Sequence, residues 1–222
     1  MKRATVILLA ALAYTILTGT VATRPVAAEP QMVPEGADSP GIARIAGHAK
    51  AKVGYPAPDF SLEAVVGTEF KKVSLSDYRG KWVVLFFYPL DFSFVCPSEI
   101  KGFNKALPEF NKLNAVLLGA SVDSKYSHLA WIKSGSLGKL DYPLLSDIKK
   151  EVAKKYGVLD EREGVALRGL FIIDPDGILQ YELVHNLSVG RSVEETLRVL
   201  EALQTGELCP LEWHPGDKTL GK

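Results

Sequence analysis

FFYPLDFSFVCP, residues 86–97, carries Cys96 from an apolar run onto a predicted helix start. The N–H groups of a helix's first turn point outward, and together with the macrodipole they favour negative charge there. Thiols in such places, above all beside arginine, ionise more readily than free cysteine. The segment therefore indicates a nucleophilic Cys96. The alternative is that a lone cysteine in an apolar segment is a small buried hydrophobe.

The number and spacing of the cysteines limit which kinds of thiol and metal chemistry the chain can carry out. Cys96 and Cys209 are the only cysteines in 222 residues, and neither belongs to a Cys-x-x-Cys pair. Dithiol exchange between adjacent cysteines and a structural zinc site are therefore not supported. The four histidines are scattered along the sequence, so we expect no metal and no cofactor. In an exported chain, two cysteines would also suit a structural disulfide.

The N-terminus resembles a secretory signal peptide. A basic start is followed by an apolar segment and by small residues before Glu29. We expect residues 1–28 to be a cleaved signal peptide, which would place the protein in an exported, periplasmic or secretory compartment. The alternative is an uncleaved membrane anchor formed by residues 4–22, because the apolar segment approaches the length of a spanning helix. Residues 29–50 contain Pro, Gly and Ala without a sustained period and are expected to form a flexible leader.

Composition favours one globular domain after the leader. Hydrophobic residues make up 47% of the chain and charged residues 23%, which is ordinary for a globular protein. Three of the 26 basic residues and none of the 26 acidic residues lie in residues 1–28. The remaining chain is therefore mildly acidic, and nothing in its charge indicates nucleic-acid binding. We expect a domain over residues 51–206 and a C-terminal arm over 207–222.

Strands and helices alternate along this domain. Two apolar runs, 82–88 and 115–122, are typical of buried strands. Between them Ile100, Phe103, Leu107 and Phe110 follow a helical period that Pro108 should interrupt. Further helices are expected over 126–134 and 149–156.

The last third of the chain predicts a hairpin and a helix. Residues 169–174 and 178–185 flank a Pro-Asp-Gly turn signal. Ser192 and Glu195 fit a capping box at the start of a helix that Gly206 ends. A β-α-β half followed by a β-β-α half predicts an α/β, thioredoxin-like fold with a mixed central sheet flanked by helices. The strand over 178–185 could be a sheet edge, which pairing with a second subunit would cover.

The residues around Cys96 resemble the peroxiredoxin signature. The pattern is Pro89-x-x-x-Ser93-x-x-Cys96, in which Thr more often stands at the position of Ser93. The resemblance runs from about Val53 to Gly216 and includes residues 121–124, 143–147, 167–174 and 189–192. Residues 209–216, CPLEWHPG, resemble the resolving-cysteine segment of the typical two-cysteine subgroup, the alkyl hydroperoxide reductase C or thioredoxin peroxidase type.

This resemblance implies a role for each residue of the site. Cys96 would attack hydrogen peroxide or a small alkyl hydroperoxide and become a sulfenic acid. Arg168 would stabilise the thiolate and the transition state, and Ser93 would hydrogen-bond the peroxide. Pro89 would shield the thiolate, although it could simply end the strand. Glu99 would anchor Arg168 and Arg191, although Arg191 could also be a solvated residue at a helix start.

The resemblance also implies partners. Cys209 would resolve the sulfenic acid from the partner subunit of a head-to-tail homodimer, and five dimers often form a ring. A thioredoxin-like protein or a dedicated disulfide reductase would donate electrons. Two rival functions stay open: an exported, non-enzymatic binding domain with a structural disulfide, and a chaperone-like assembly. Cys96→Ser distinguishes the first from an enzyme, and a client-aggregation assay tests the second.

Two departures from the peroxide-sensitive branch of this family predict an enzyme that resists overoxidation. The usual Gly-Gly-Leu-Gly is Gly135-Ser136-Leu137-Gly138 here, and the sequence runs only six residues beyond Gly216, without the C-terminal helix that carries a Tyr-Phe pair. Less material over the site should let Cys209 trap the sulfenic acid sooner. We expect little sulfinic acid at Cys96 after turnover with micromolar peroxide, as mass spectrometry would show.

Overall fold

The computed structural model describes residues 50–222. The expected signal peptide or anchor and nearly all of the leader lie outside the described residues. They stay predictions, which the N-terminal sequence of the mature protein would test. Within residues 50–222, no helix combines the length and the apolar character needed to span a bilayer.

A seven-stranded mixed sheet forms the centre of the fold. Its strands, together with a separate two-stranded hairpin, are β1 (Ser61–Val66), β2 (Glu69–Ser74), β3 (Trp82–Phe87), β4 (Ala115–Ser121), β5 (Leu144–Ser146), β6 (Leu159–Asp160), β7 (Val165–Ala166), β8 (Arg168–Ile173) and β9 (Leu179–His185). The large sheet has the order β2-β1-β5-β4-β3-β8-β9, and β6 pairs with β7. β3 is parallel to β4 and antiparallel to β8. The expected α/β, thioredoxin-like architecture is confirmed.

Helices cover this sheet. They are α1 (Cys96–Lys105), α2 (Leu107–Lys112), α3 (Lys125–Lys133), α4 (Glu151–Lys155) and α5 (Val193–Thr205), with a 3-10 helix at Leu75–Tyr78. Pro108 lies in the first turn of α2, where its missing N–H costs nothing, so the predicted interruption separates two helices. Gly206 ends α5 with a φ of 65°, a left-handed conformation that glycine adopts without a Cβ penalty.

Alternation along β3 divides the core into two layers. Val84 and Phe86 pack with Cys96 and α1 on one face, while Leu85 and Phe87 pack on the other. β3 has a hydrogen-bonded strand at each edge and a cluster of buried side chains on each face, so the strand is apolar almost throughout. The end of β3 therefore delivers the following loop to the face on which α1 and α5 lie.

Two features differ from the expectations. The hairpin of β1 and β2 was not predicted, because in β2 only Val73 is buried and the apolar alternation is weak. The capping box of α5 forms only in part. Ser192 Oγ accepts from the Glu195 N–H at 3.1 Å, but the Glu195 carboxylate lies against Arg198, with Oε2 2.6 Å from Nε.

Candidate active site

Cys96 is the first residue of α1 and is fully buried. Pro97 has no N–H to offer, and the Ser98 N–H bonds to the Val95 carbonyl at 3.0 Å. These first-turn groups therefore contribute less to an anion at Cys96 than the sequence suggested. A cation from another element supplies positive charge instead.

That cation is Arg168, the first residue of β8. Its Nη1 lies 3.4 Å from Cys96 Sγ and 2.6 Å from Glu99 Oε2. Its Nε donates to the Leu187 carbonyl at 2.8 Å. The contacts with Glu99 and Leu187 hold the guanidinium against the sulfur, so its positive charge is fixed beside Cys96.

Glu99 and Arg191 complete the buried ion cluster. The Arg191 backbone N–H and Nε donate to Glu99 Oε1 at 2.9 and 2.8 Å, and Nη2 donates to Oε2 at 2.9 Å. Arg191 Nη1 also donates to the carbonyls of Phe87 and Gly169. Arg191 is therefore a buried structural cation here, and the alternative of a solvated residue is wrong.

The ion cluster of Glu99, Arg168 and Arg191 carries more positive than negative charge. Two guanidinium groups face one carboxylate, and arginine stays protonated in proteins. Burial by itself would raise the pKa of Glu99, but the hydrogen bonds and charge of Arg191, with the charge of Arg168, hold it below its ordinary value of 4.5. One positive charge therefore remains beside the Cys96 sulfur.

The Glu99 network predicts acid sensitivity. Because the native pKa of this carboxyl lies below its unfolded value, its contribution to stability is complete above about pH 5 and is lost as the pH falls through the native pKa. Glu99→Gln should cost about 3–5 kcal/mol near pH 7, since it leaves buried guanidinium charge uncompensated. Urea unfolding of both proteins from pH 7 to pH 3 measures this. An equal stability difference at both ends of that range would contradict the assignment.

The loop before Cys96 holds the two other expected site residues. Pro89 is buried, and Ser93 is half-buried with its hydroxyl donating to the Leu90 carbonyl at 2.9 Å. The Ser93 lone pairs remain free to accept a hydrogen bond from a peroxide O–H. Phe94 on the same loop is wholly exposed.

A buried polar network supports this loop, and sequence reasoning did not find it. Tyr88 OH donates to Asp91 Oδ1 at 2.9 Å, and His128 Nδ1 lies 2.8 Å from Asp91 Oδ2. Burial, followed by the charge of Asp91, raises the pKa of Tyr88 well above its ordinary value of 10.0, so the phenol stays a donor. The one sequence feature that could have pointed to this network is the histidine in the middle of the helix predicted over residues 126–134.

Cys209 lies away from this ion cluster, in the C-terminal arm. Its Sγ is 3.5 Å from Thr205 Oγ1 and 3.7 Å from the Ala202 carbonyl, at the end of α5. Cys96 and Cys209 are both free thiols. The structure therefore brings together Cys96, Glu99, Arg168 and Arg191, while the second cysteine is held separately.

Two further features of the described residues are the absence of a metal-binding group and one unpaired histidine nitrogen. Within residues 50–222, no group of three or more His, Cys, Asp or Glu side chains is placed to hold a metal ion. Among the described residues, one buried side-chain nitrogen or oxygen has no hydrogen-bond partner, and it is the Nδ1 atom of His185. His185 ends β9 and pairs in register with Arg168.

A buried cysteine at the start of α1, held against a guanidinium from β8 of a thioredoxin-like sheet, is an arrangement that suits a thiol-dependent peroxidase. Comparison with known proteins gives the family. Residues 53–182 match the AhpC/TSA family, and the chain belongs to this family of peroxiredoxins.

Individual relatives agree with this assignment. The chain is 57% identical over 177 residues to the chloroplastic 2-Cys peroxiredoxin BAS1 of Spinacia oleracea, covering 76% of this chain and 67% of the relative. It is 54% identical to Peroxiredoxin-2 of Bos taurus, covering 77% and 90%. The reduced 2-Cys peroxiredoxin of Plasmodium vivax superimposes with a TM-score of 0.72 at 48% identity, covering 75% of this chain and 91% of that one.

Proposed function

We propose that the protein reduces hydrogen peroxide and small alkyl hydroperoxides through a sulfenic acid at Cys96. The observation that carries this proposal is the 3.4 Å contact between Cys96 Sγ and Arg168 Nη1 inside a buried cluster with one excess positive charge. The Cys96 thiolate attacks one peroxide oxygen, so an S–O bond forms and the O–O bond breaks. The leaving oxygen takes up a proton and departs as water or an alcohol.

Arg168 and Ser93 serve the transition state of this step. Negative charge moves from sulfur to the leaving oxygen, and a fixed guanidinium beside the sulfur stabilises that charge without reorganising. The Ser93 hydroxyl accepts from the peroxide O–H and orients the O–O axis. Pro89, buried at the start of the loop, excludes water from the thiolate.

Substitutions at Ser93 test its role. Ser93→Thr keeps the hydroxyl and adds a methyl group that restricts χ1, so we expect an increase of about 2- to 5-fold in the rate constant for peroxide. Ser93→Val, which has a similar shape without the hydroxyl, should lower that constant about 10²-fold, as expected for one lost transition-state hydrogen bond. Stopped-flow measurements of peroxide consumption give the rate constant of each variant. A valine variant as fast as the wild type would remove Ser93 from the mechanism.

We further propose that Cys209 of the partner subunit resolves the sulfenic acid in a homodimer. Its sulfur attacks Cys96 Sγ, an S–S bond forms, the S–O bond breaks and water leaves. Two observations support a dimer. Within residues 50–222, β9 is an edge strand of the seven-stranded sheet, and only its first residue, Leu179, is covered, by backbone hydrogen bonds to Gly54 and Tyr55. His185 at the other end of β9 has an unpartnered Nδ1 that a second copy would meet.

Mixing two variants that each lack one of the cysteines tests the intersubunit disulfide. Cys96→Ser and Cys209→Ser subunits, exchanged and treated with one equivalent of peroxide, should form a covalent dimer on non-reducing electrophoresis. The Cys96 of one subunit then meets the Cys209 of the other. Peptide mapping should find the 96–209 pair. If the mixture gives no such disulfide while the wild type forms an intrachain bond, the intersubunit arrangement is wrong.

The remaining parts of the cycle are proposed from the family. A thioredoxin-like protein or a dedicated reductase would return two electrons to the disulfide, and dimers would associate further into a ring of five. Light scattering of the reduced and oxidised protein tests the assembly. Turnover with each candidate donor supplied separately identifies the reductant.

A further inference from the structure

The C-terminal arm, Glu207–Lys222, is folded against itself and against α5. The Leu208 N–H donates to the Gly221 carbonyl at 2.9 Å, and the Leu220 N–H donates to the Leu208 carbonyl at 2.8 Å. Trp213 is 4% exposed, and its Nε1 donates to the Asp217 carbonyl at 3.1 Å. The arm that carries Cys209 therefore has a defined docked position.

Arg198 is the side chain that ties the arm to α5. Its Nη1 donates to the Trp213 carbonyl at 2.9 Å. Its Nε and Nη2 donate to the two oxygens of Glu195 at 2.6 and 2.7 Å. The bidentate pair fixes the guanidinium plane, so the third donor is aimed at the arm at little entropic cost.

Arg198 also stands between two grooves that the arm helps to form. One groove, of about 490 Å³, contains Cys209 and Leu211. The other, of about 550 Å³, lies between α1 and α5 and is closed on one side by His214 and Pro215. Releasing the Trp213 carbonyl would open both grooves, because residues on either side of Trp213 line them.

In the docked arm the Cys209 sulfur has hydrogen-bond acceptors as its close polar contacts. The Ala202 and Glu207 carbonyls lie 3.7 and 3.8 Å from Sγ. Thr205 Oγ1, at 3.5 Å, already donates its hydrogen to the Ala202 carbonyl at 2.7 Å. The S–H group is thus directed at the end of its own helix, and attack on a second sulfur requires these contacts to break.

We propose that Arg198 is a positioning residue that holds the arm docked, and that release of its contact with the Trp213 carbonyl limits the rate at which Cys209 attacks the Cys96 sulfenic acid. This inference rests on the proposed function. The chemical step is the one already written: the Cys209–Cys96 S–S bond forms, the S–O bond of Cys96 breaks, and water carries away the oxygen.

A slow release has a chemical consequence. While the arm is docked, a second peroxide can oxidise the sulfenic acid to sulfinic acid, with the O–O bond of that peroxide broken and water or alcohol released. The docked lifetime therefore sets how resistant the enzyme is to overoxidation. A weaker arm contact should give faster disulfide formation and less sulfinic acid.

Arg198→Met tests this inference in the full chain. Methionine keeps the length of the aliphatic stem but removes all three donors. Rapid quenching after one equivalent of hydrogen peroxide, followed by mass spectrometry, separates the two steps. We expect sulfenic acid at Cys96 to form at the wild-type rate and the disulfide to form about 5-fold faster or more, as expected for loss of a partly exposed charge-assisted hydrogen bond. Sulfinic acid under excess peroxide should fall accordingly.

Two further variants keep the test decisive. Glu195→Gln loosens the bidentate pair that orients Arg198 but leaves the donor to the Trp213 carbonyl in place, so it should speed the disulfide step less than Arg198→Met does. Arg198→Lys retains a charge but cannot reach Trp213 and both oxygens of Glu195 together. Its rate of disulfide formation should therefore lie between those of the wild type and Arg198→Met. This variant replaces Arg198→Met in the experiment if the methionine variant does not fold. A purely structural role would slow both chemical steps together.

Two results would overturn the inference. A disulfide step that is slower or unchanged in the Arg198 variants would mean that docking assists resolution or does not limit it. Failure of the proposed function is distinguishable, because in that case no sulfenic acid forms at Cys96 in any variant, and the first step disappears as well.

Discussion

Cys96→Ser should lower peroxide consumption at least about 10³-fold, to the level of the buffer with its reductant, because the substitution removes the nucleophile itself. The side chain is nearly isosteric and lies at the start of α1 in a packed layer. Stability should therefore change little, which a thermal unfolding curve checks. Stopped-flow peroxide assays measure the loss.

Cys209→Ser is the matched control for this experiment. It leaves the cluster of Glu99, Arg168 and Arg191 intact, so the first equivalent of peroxide should disappear at the wild-type rate. Sustained turnover should then depend on a small thiol that reduces the sulfenic acid directly. If the Cys96 variant consumed peroxide while the Cys209 variant did not, the roles of the two cysteines would be reversed.

Arg168→Met should lower the rate constant for peroxide about 10²- to 10³-fold, because it removes the positive charge on which both the thiolate and the transition state rely. Glu99 would still be satisfied by Arg191, which makes three contacts to it. Arg168→Lys should be intermediate, since an ammonium group supplies charge but cannot reach the sulfur, Glu99 and the Leu187 carbonyl together. Single-turnover kinetics give each value.

Arg162→Met is the control for the loss of one arginine. Arg162 lies between β6 and β7, its side chain is 84% exposed, and its salt bridge is with the adjacent Glu163. Surface pairs of this kind contribute little, so this variant should match the wild type. An Arg168 variant that also kept wild-type kinetics would show that the buried charge does not activate Cys96.

Much of the fold could be predicted because local patterns agree with the tertiary structure. β3 and β4 are continuous apolar runs since both lie inside the sheet, and α5 carries its own start and stop residues. The hairpin of β1 and β2 escaped prediction because its outer strand is largely exposed and charged, so it lacks an apolar period. The pair of β6 and β7 has only two residues in each strand.

The site was harder to predict than the fold. Glu99 contacts Arg168, which is 69 positions away in the sequence, and Arg191, which is 92 positions away. A local hydrophobic period in the sequence does not indicate such long-range contacts. Only the resemblance to peroxiredoxins pointed to them. The Asp91–His128 contact and the Arg198 contact with the arm were not foreseen at all, because each depends on how loops pack after the strands have formed.

The central claim is that Cys96 is the sulfur that peroxide oxidises. The most direct test exposes reduced protein to less than one equivalent of hydrogen peroxide in the presence of dimedone, which labels sulfenic acid, and maps the adduct by mass spectrometry. The account predicts the label on Cys96, in the wild type and more strongly in Cys209→Ser. Label on Cys209 with Cys96 unmodified would contradict it.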